Sequence, residues 1–352
     1  MRNIRRKLLY ISFLLLIIEC GLRGFYAQTH NIPFSKPDLL FLRYYPELRE
    51  LVEAADNKQA DEESLLVLGG SVVSFMYCDM DTVLNYHLDS IRKRDIRVYS
   101  FAKPAQTSLD SWTKYRLLKD YSFDWVLFYH GINDTRSNNC PKEVFDLDYR
   151  HVGFYNEVYT LMRHPEMRFT VIPYSIDYIW QRIRVMAGWK QEIPKEYNVM
   201  EYFHEKKAPN RLWWEHGKDI KTRESFERNL RNIIELAKEK GEQLILSTYA
   251  HHQPDEYTLE KFVNKELGYV DHSWPTELYG EPAYIKQGII AHNTVIREVQ
   301  AEYPDLHFIE FQQQLPQEGQ YFFDICHLTP PACDKLGKEI LTIMDNLQSQ
   351  NP

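Results

Sequence analysis

Short apolar runs alternate with longer amphipathic segments along most of this chain. Residues 65–68 and 125–129 form continuous apolar runs without a charged residue, which is typical of strands buried on both faces. Residues 96–101, 243–249 and 307–311 are predicted to form three further strands. The pattern therefore predicts five strands that are separated by longer segments.

Several of the segments between these strands carry the spacing of helices. Phe226, Leu230, Ile233 and Ala237 recur at intervals of four, three and four residues, which makes one apolar stripe, and Gly241 is placed to cap that helix. Strands that alternate with helices predict a three-layer α/β/α sandwich around a five-stranded parallel sheet of the flavodoxin-like type. The predicted helices cover residues 72–94, 108–121, 223–240, 286–303 and 330–347.

The alternation is interrupted once, at about residues 135–221, which we interpret as an irregular or helical insertion. Its tryptophans are expected to form the core of an added subdomain, and a sugar-stacking platform is the alternative. They are Trp180, Trp189, Trp213 and Trp214. The expected organisation is an anchor at residues 1–27, a linker and lead-in segment at 28–63, and one α/β domain at 64–352 that contains the insertion.

The N-terminus has the pattern of an export signal. A basic cluster that includes Arg5 and Lys7 precedes the apolar run from Leu8 to Ile18. Glu19 and Arg23 follow at a spacing of one helical turn, where they are able to pair and to reach the membrane surface. We interpret the segment as an uncleaved signal anchor with the rest of the chain outside the cytosol. A cleaved signal peptide, giving a secreted protein, is the second interpretation, and a buried helix of a cytoplasmic protein is the third.

Composition and charge limit the number of domains and the class of partner. Of the 352 residues, 44% are hydrophobic and 14% aromatic, enough for one large α/β domain or two smaller ones. The net charge is −8 with acidic and basic residues interspersed, so a basic surface for phosphates is absent from the pattern and nucleic acid is excluded as a partner.

The cysteines leave their pairing open. Cys20 lies in the anchor, and Cys78, Cys140, Cys326 and Cys333 lie in the exported part, where an oxidising compartment permits disulfides. Cys326 and Cys333 flank a short loop and are one candidate pair, and Cys78 and Cys140 are the other. Buried free thiols are the equal alternative for either pair.

Three short motifs are predicted to lie at strand ends. Gly69-Gly70-Ser71 follows the first strand and supplies a hydroxyl nucleophile with its own backbone N–H at the start of a helix. The segment from Gly131 to Asp134 follows the third strand, and the Asn133 amide is able to donate to an oxyanion. Taken singly, these motifs are also consistent with a serine helix cap and an ordinary turn.

The third motif is Asp324-Ile325-Cys326-His327. At this spacing the Asp324 carboxylate is able to hold the imidazole Nδ1–H of His327 and leave Nε2 facing Ser71. A surface salt bridge would explain the pair equally well if it stood alone. Because sites in parallel sheets lie at the carboxyl ends of the strands, the three motifs together predict one acyl-transfer site.

These blocks resemble those of the SGNH hydrolases, also called the GDSL esterase and lipase family, and the N-terminal anchor resembles membrane-tethered members. The resemblance covers about residues 60–345 apart from the insertion, with Gly70 where the family most often has aspartate. It implies Ser71, His327 and Asp324 as a catalytic triad. It also implies an oxyanion hole formed by the N–H groups of Ser71 and Ala105 and by Asn133, with neither a cofactor nor a metal.

One block departs from the family pattern. The family has Asn-x-Gly-x-x-Gly, whose last glycine donates its N–H to the oxyanion, and here residues 100–105 place Ala105 at that glycine. Alanine retains the N–H. If the position requires a positive φ, however, alanine costs about 1 kcal/mol or more and the oxyanion hole is weaker.

The expected function is that of a serine esterase that removes an acyl group from an envelope or extracellular glycan. The alternatives are an O-acyltransferase that uses the same site on a glycan and a catalytically silent binding or scaffold protein. His251-His252 is interpreted as a pair of loop residues rather than a metal site, because adjacent histidines do not share a face of a strand.

Overall fold

The structure, a computed structural model, describes residues 2–53, 63–91, 96–190 and 211–350. The chain forms two compact units. The first consists of Met1–Asp56 and Asp148–Ile193, and the second consists of Asn57–Leu147 and Pro194–Pro352. The expected boundaries between anchor, linker and α/β domain, after residues 27 and 63, stay predictions.

The regular elements of the described residues alternate in the second unit as expected. The strands are β1 Glu63–Gly69, β2 Ile96–Ser100, β3 Trp125–Tyr129, β4 Gln243–Ser247 and β5 His307–Ile309. The α-helices are α1 Arg2–His30, α2 Arg49–Glu53, α3 Met80–Ile91, α4 Ser108–Leu117, α5 Ile132–Thr135, α6 Gly153–Met162, α7 Ile172–Met186, α8 Thr222–Lys240, α9 Leu259–Val263, α10 Pro282–Glu302, α11 Phe311–Gln314 and α12 Pro330–Gln350. Short 3-10 helices lie at Pro37–Arg43, Pro46–Leu48, Ser71–Val73, Arg136–Asn138, Pro165–Arg168, Arg211–Lys218, Thr276–Leu278 and Gly319–Tyr321.

The five strands form one parallel sheet in the order β2-β1-β3-β4-β5. Right-handed crossovers place α4, α8 and α10 on one face and α3 and α12 on the other. The packing agrees, since α8 lies against α4 and α10, and α12 lies against α3. The predicted fold class, an α/β/α sandwich around a five-stranded parallel sheet, is confirmed.

Burial explains why the central strands could be predicted. Residues 65–68 of β1 are fully buried, and the whole of β3 is buried as well. The predicted stripe of α8 faces the core, and Gly241 ends that helix with a left-handed φ of 72°. Because both faces of the inner strands are covered, most of their side chains are apolar.

The disulfide differs from both expected pairings. Cys78, which precedes α3, is bonded to Cys333 in α12. Cys140 and Cys326 are buried free thiols. Both pairings considered from the sequence, Cys326 with Cys333 and Cys78 with Cys140, are therefore wrong. The actual partners are 255 positions apart, and the packing of α3 against α12 brings them together.

The first unit contains α1, which is long and apolar enough, by length and composition, to cross a membrane. A signal sequence near the N-terminus has the same properties. At 29 residues it is about 44 Å long. The expected pairing within it is confirmed, because Arg23 Nε donates to Glu19 Oε1 at 2.6 Å. Of the insertion, residues 148–193 belong to this first unit, and α6 and α7 are its helices.

Candidate active site

Two glycines let Ser71 lie close to the neighbouring strand end. A Cβ atom at Gly69 would be 3.1 Å from the Tyr129 carbonyl oxygen, and a Cβ atom at Gly70 would be 2.5 Å from Asn133 Nδ2. Ser71 is only 7% exposed. The absent side chains therefore allow the Asn133 amide to approach the backbone next to the serine.

The helix expected directly after Ser71 is not present. Ser71–Val73 is a single 3-10 turn, and α3 begins only at Met80. Ser74, which hydrogen-bonds the Ser71 carbonyl oxygen through its hydroxyl, has extended backbone angles and ends the turn. The predicted helix at residues 72–94 is thus wrong in its start, and Ser71 does not lie at the start of an α-helix.

His327 lies between Ser71 and Asp324, although 256 positions separate the serine from the histidine. Ser71 Oγ is 2.8 Å from His327 Nε2, and His327 Nδ1 is 2.7 Å from Asp324 Oδ2. Asp324 is fully buried and His327 nearly so. In the neutral tautomer with its proton on Nδ1, the imidazole donates to the carboxylate and accepts the Ser71 hydroxyl proton.

The loop around Asp324 is fixed by its own hydrogen bonds. The backbone N–H groups of Cys326 and His327 both donate to Asp324 Oδ1 at 3.0 Å. The N–H of Phe323 donates to the His327 carbonyl oxygen at 2.7 Å, which closes the loop in front of α12. The three-residue spacing therefore places the carboxylate both on the imidazole and on the backbone that carries it.

Electrostatics favours the charged imidazole. Burial alone disfavours imidazolium, but the adjacent Asp324 carboxylate outweighs this effect, and the pKa of His327 is raised well above its usual value. The pair is therefore suited to stabilising the positive charge that a base acquires when it takes a proton from serine.

Two aromatic residues that the sequence did not indicate complete the surroundings of the imidazole. The ring of Tyr77 stacks on His327 with 4.0 Å between ring centroids and 22° between planes. Trp274 Nε1 donates to the Tyr77 hydroxyl oxygen at 2.8 Å. Burial raises the pKa of Tyr77, which keeps the phenol neutral. No local sequence pattern indicates these contacts, because Tyr77 lies about 200 positions before Trp274 and 250 positions before His327.

Asn133 contacts the turn after β2 that contains Ala105. Asn133 Nδ2 donates to the Gln106 carbonyl oxygen at 2.8 Å. An amide carries two N–H groups, so the second remains for an oxyanion. Ala105 has a φ of +66°, and the Gln106 N–H lies 3.4 Å from the Lys103 carbonyl oxygen. With Pro104 before it, Ala105 occupies the position of a type II turn that favours glycine.

Ala105 therefore has the positive φ at which alanine is less favourable than glycine. Arg136 donates to the Ala105 carbonyl oxygen at 2.7 Å, which holds the peptide in this orientation. The backbone N–H is retained in the geometry that glycine would adopt. Alanine at position 105 consequently strains the backbone but keeps its N–H.

Asp134, the last residue of the second motif, links the turn to α4. Its carboxylate accepts from the Ser108 backbone N–H at 2.9 Å and from the Ser108 hydroxyl at 2.6 Å. Asn229 of α8 donates to the same hydroxyl at 3.0 Å. This buried network fixes the start of α4, and hence the end of the segment that carries Ala105.

Within the described ranges, one group of side chains has the proximity that a metal ion would require. Ligand atoms of Asp324, Cys326 and His327 lie within 4.8 Å of one another. Burial raises the pKa of the Cys326 thiol, and the thiolate is the form that binds metals. Since the other two groups already contact each other, the cluster is better suited to proton transfer than to metal binding.

The histidine pair and the tryptophans singled out in the sequence are not part of the contact chain of Ser71, His327 and Asp324. The His251 backbone N–H donates to Gln312 Oε1 at 2.8 Å, and burial lowers the pKa of His251 to about 4. Trp214 is buried as expected, whereas Trp180 and Trp189 of the first unit are 49% and 66% exposed. The interpretation of the tryptophans as a core is thus wrong for this exposed pair.

Comparison with known proteins finds only distant structural similarity. No protein-family model matches the chain, and no curated protein matches it. Similar solved structures include a lipase/acylhydrolase from Enterococcus faecalis (14% identity, 81% of this chain and 96% of that chain, TM-score 0.40). A GDSL-like lipase from Bacteroides thetaiotaomicron is similar at 14% identity over 86% and 99% of the two chains, with a TM-score of 0.44. An acetyl xylan esterase variant from Geobacillus stearothermophilus is similar at 13% identity over 80% and 93%, with a TM-score of 0.42. At these identities the functional argument rests on side-chain geometry.

Proposed function

We propose that this protein is a serine esterase of the SGNH type, in which Ser71, His327 and Asp324 form the catalytic triad. The observation that carries the proposal is the continuous chain of contacts from the Ser71 hydroxyl through both nitrogens of His327 to the Asp324 carboxylate, at 2.8 and 2.7 Å. Nucleophilic catalysis by serine requires a base within this distance and a group that orients the base.

The reaction is acyl transfer in two stages. Ser71 Oγ attacks the ester carbonyl carbon while His327 Nε2 takes the hydroxyl proton. The N–H groups of Ser71, Ala105 and the Asn133 amide hold the negative oxygen of the tetrahedral intermediate. Its collapse breaks the bond to the alcohol, which leaves with the proton from His327. Water then attacks the acyl-enzyme by the same route and releases the acid.

The proposed substrate is an acylated glycan or other acyl ester outside the cytosol. Two features support this location. The basic residues before Leu8 favour a cytosolic N-terminus for α1, which places the rest of the chain on the opposite side. The bond between Cys78 and Cys333 is of a kind that persists in oxidising compartments. In this proposal α1 is an uncleaved membrane anchor.

The test uses the full chain in detergent micelles. We expect a fluorophosphonate probe to label the wild-type protein and short-chain or sugar acetate esters to be hydrolysed. Ser71→Ala is expected to lose both properties with an unchanged melting temperature. Ser247→Ala is the matched control, because it removes another buried serine hydroxyl, one that contacts the Thr248 carbonyl oxygen.

The outcomes separate the alternatives. Hydrolysis by Ser71→Ala at the wild-type rate would refute the assignment of the nucleophile. Absence of labelling in folded wild-type protein would favour the silent scaffold. Transfer of the acyl group to an added sugar in preference to water would identify an O-acyltransferase.

A further inference from the structure

The disulfide lies close in sequence to both the nucleophile and the base of the candidate triad. Cys78 comes seven positions after Ser71, and its partner Cys333 comes six positions after His327. Without the bond, the serine and the histidine are separated by 256 positions of chain. With it, a short covalent path joins the segment that carries the nucleophile to the segment that carries the base.

The nucleophile segment is closed by its own backbone hydrogen bonds. The Ser74 N–H donates to the Ser71 carbonyl oxygen at 3.2 Å, and the Tyr77 N–H donates to the Ser74 carbonyl oxygen at 3.1 Å. The Cys78 N–H returns to the Val72 carbonyl oxygen at 2.9 Å. Because the segment is a compact loop, the position of Cys78 determines where the residues before it lie.

The base segment is equally compact. The Thr329 N–H donates to the Tyr321 carbonyl oxygen at 3.1 Å, and the Cys333 N–H donates to the Thr329 carbonyl oxygen at 3.0 Å in the first turn of α12. Cys78 is fully buried, and Cys333 is only 2% exposed. The bond therefore joins two well-fixed loops inside the core.

Tyr77 is the residue that this bond places against the triad. It directly precedes Cys78, and its ring stacks on the His327 imidazole with 4.0 Å between ring centroids. Trp274 Nε1 donates to its hydroxyl at 2.8 Å, so the side chain is held at its outer end by Trp274 and at its backbone by the disulfide. A ring fixed at both ends covers one face of the imidazole and opposes its rotation away from Ser71.

We propose that the bond between Cys78 and Cys333 is a positioning element of the active site, which holds Tyr77 against His327 and makes full activity depend on oxidation of the two thiols. The inference rests on the proposed esterase function. The bond forms by thiol–disulfide exchange with a disulfide donor, which takes up two electrons and two protons and becomes two thiols. The enzyme therefore reaches full activity only after it has met an oxidising compartment.

The experiment compares four forms of the full chain in detergent micelles: wild type, Cys78→Ala/Cys333→Ala, Tyr77→Leu, and the triple variant. Alanine leaves no unpaired polar group in the buried cluster. Ile234→Ala in α8 is the matched control, because it removes a fully buried side chain on the opposite face of the sheet and should also lower stability. Melting temperatures, kcat, KM and fluorophosphonate labelling of Ser71 are measured, with kinetics at a temperature at which every form is folded.

We expect Cys78→Ala/Cys333→Ala to lower kcat roughly two- to tenfold, as Tyr77→Leu does, with KM changed less than about twofold. Ile234→Ala should lower the melting temperature and keep kcat. In the Tyr77→Leu background, removal of the bond should lower the melting temperature again without a further loss of kcat, because both changes act through the same ring. Wild-type protein that is reduced and then reoxidised by a disulfide donor should lose and regain kcat, and this comparison replaces the double variant if that variant does not fold.

A folded Cys78→Ala/Cys333→Ala protein with wild-type kcat would overturn the inference and leave the bond a purely structural one. An equal loss of kcat in Ile234→Ala would overturn it as well, because the loss would then follow stability. A further loss of kcat when the bond is removed from Tyr77→Leu would overturn the role of the ring. Absence of fluorophosphonate labelling in folded, oxidised wild type would refute the proposed esterase itself, and this inference with it.

Discussion

Replacement of Ala105 by glycine tests the strain in the candidate oxyanion turn. Ala105 has a φ of +66°, a region in which the Cβ atom of an L-residue is crowded. Pro104 and the hydrogen bond from Arg136 to the Ala105 carbonyl oxygen both hold the turn in this conformation. Because glycine has no Cβ atom, Ala105→Gly should relieve strain without moving the backbone N–H.

The expected gain follows from two opposing effects. Relief of the left-handed conformation favours glycine by about 1–2 kcal/mol. The greater freedom of glycine in the unfolded chain favours alanine by about 0.4–1 kcal/mol. The net stabilisation should therefore be about 0.5–1 kcal/mol, which corresponds to a rise of roughly 2 °C in melting temperature for a domain of this size.

The assay is thermal unfolding combined with ester hydrolysis. Lys265→Gly is the matched control, because Lys265 also has a positive φ, of 58°, and lies in an exposed loop. Both variants should be stabilised, and Ala105→Gly should keep kcat/KM within about twofold of wild type, since the oxyanion donor is unchanged. A lower melting temperature for Ala105→Gly, with Lys265→Gly stabilised, would show that the turn is not strained.

Four further predictions concern the proposed triad, the aromatic ring beside it and the disulfide. Because the pKa of His327 is raised and a general base must be neutral, kcat/KM should increase with pH to a midpoint above that of free histidine. The protonated pair should correspondingly stabilise the fold at low pH and lose this contribution as pH rises through the raised pKa. Asp324→Asn should lower kcat by about 10⁴ and move the pH midpoint down, and an unmoved midpoint would contradict the assigned cause. Tyr77→Leu should lower kcat roughly two- to tenfold through loss of the stacked ring, whereas Tyr77→Phe should retain activity; equal losses would implicate the hydroxyl instead. Reduction of the bond between Cys78 and Cys333 should destabilise the second unit by about 2–4 kcal/mol, measured as a lower denaturation midpoint, and an unchanged midpoint would argue against the bond.

Features set by local sequence were predicted from it. The apolar runs of β1 and β3 indicated buried strands, because inner strands of a parallel sheet that is covered on both faces read as continuous apolar runs. The contact between Asp324 and His327 was also foreseeable, since a three-residue spacing brings a carboxylate to the imidazole within one loop.

Two features were not predicted, one set by a distant contact and one by a local side chain. The bond of Cys78 to Cys333 depends on α3 packing against α12, which no spacing along the sequence indicates. The early end of the turn after Ser71 depends on Ser74, whose hydroxyl competes for a backbone carbonyl that a helix would use.

The convergence of Ser71 and Asn133 has a topological cause that the strand order makes plain. Gly69 at the end of β1 is paired with Tyr129 at the end of β3, so the two segments that follow leave the sheet side by side. The chain crosses to β2 on the other side of β1 before it returns to β3, and this reversal opens a crevice between the two strand ends. A serine after β1 and an amide after β3 are thereby brought together by the sheet itself. His327 and Asp324 come from farther away, on one loop whose backbone is held by hydrogen bonds to the Asp324 carboxylate.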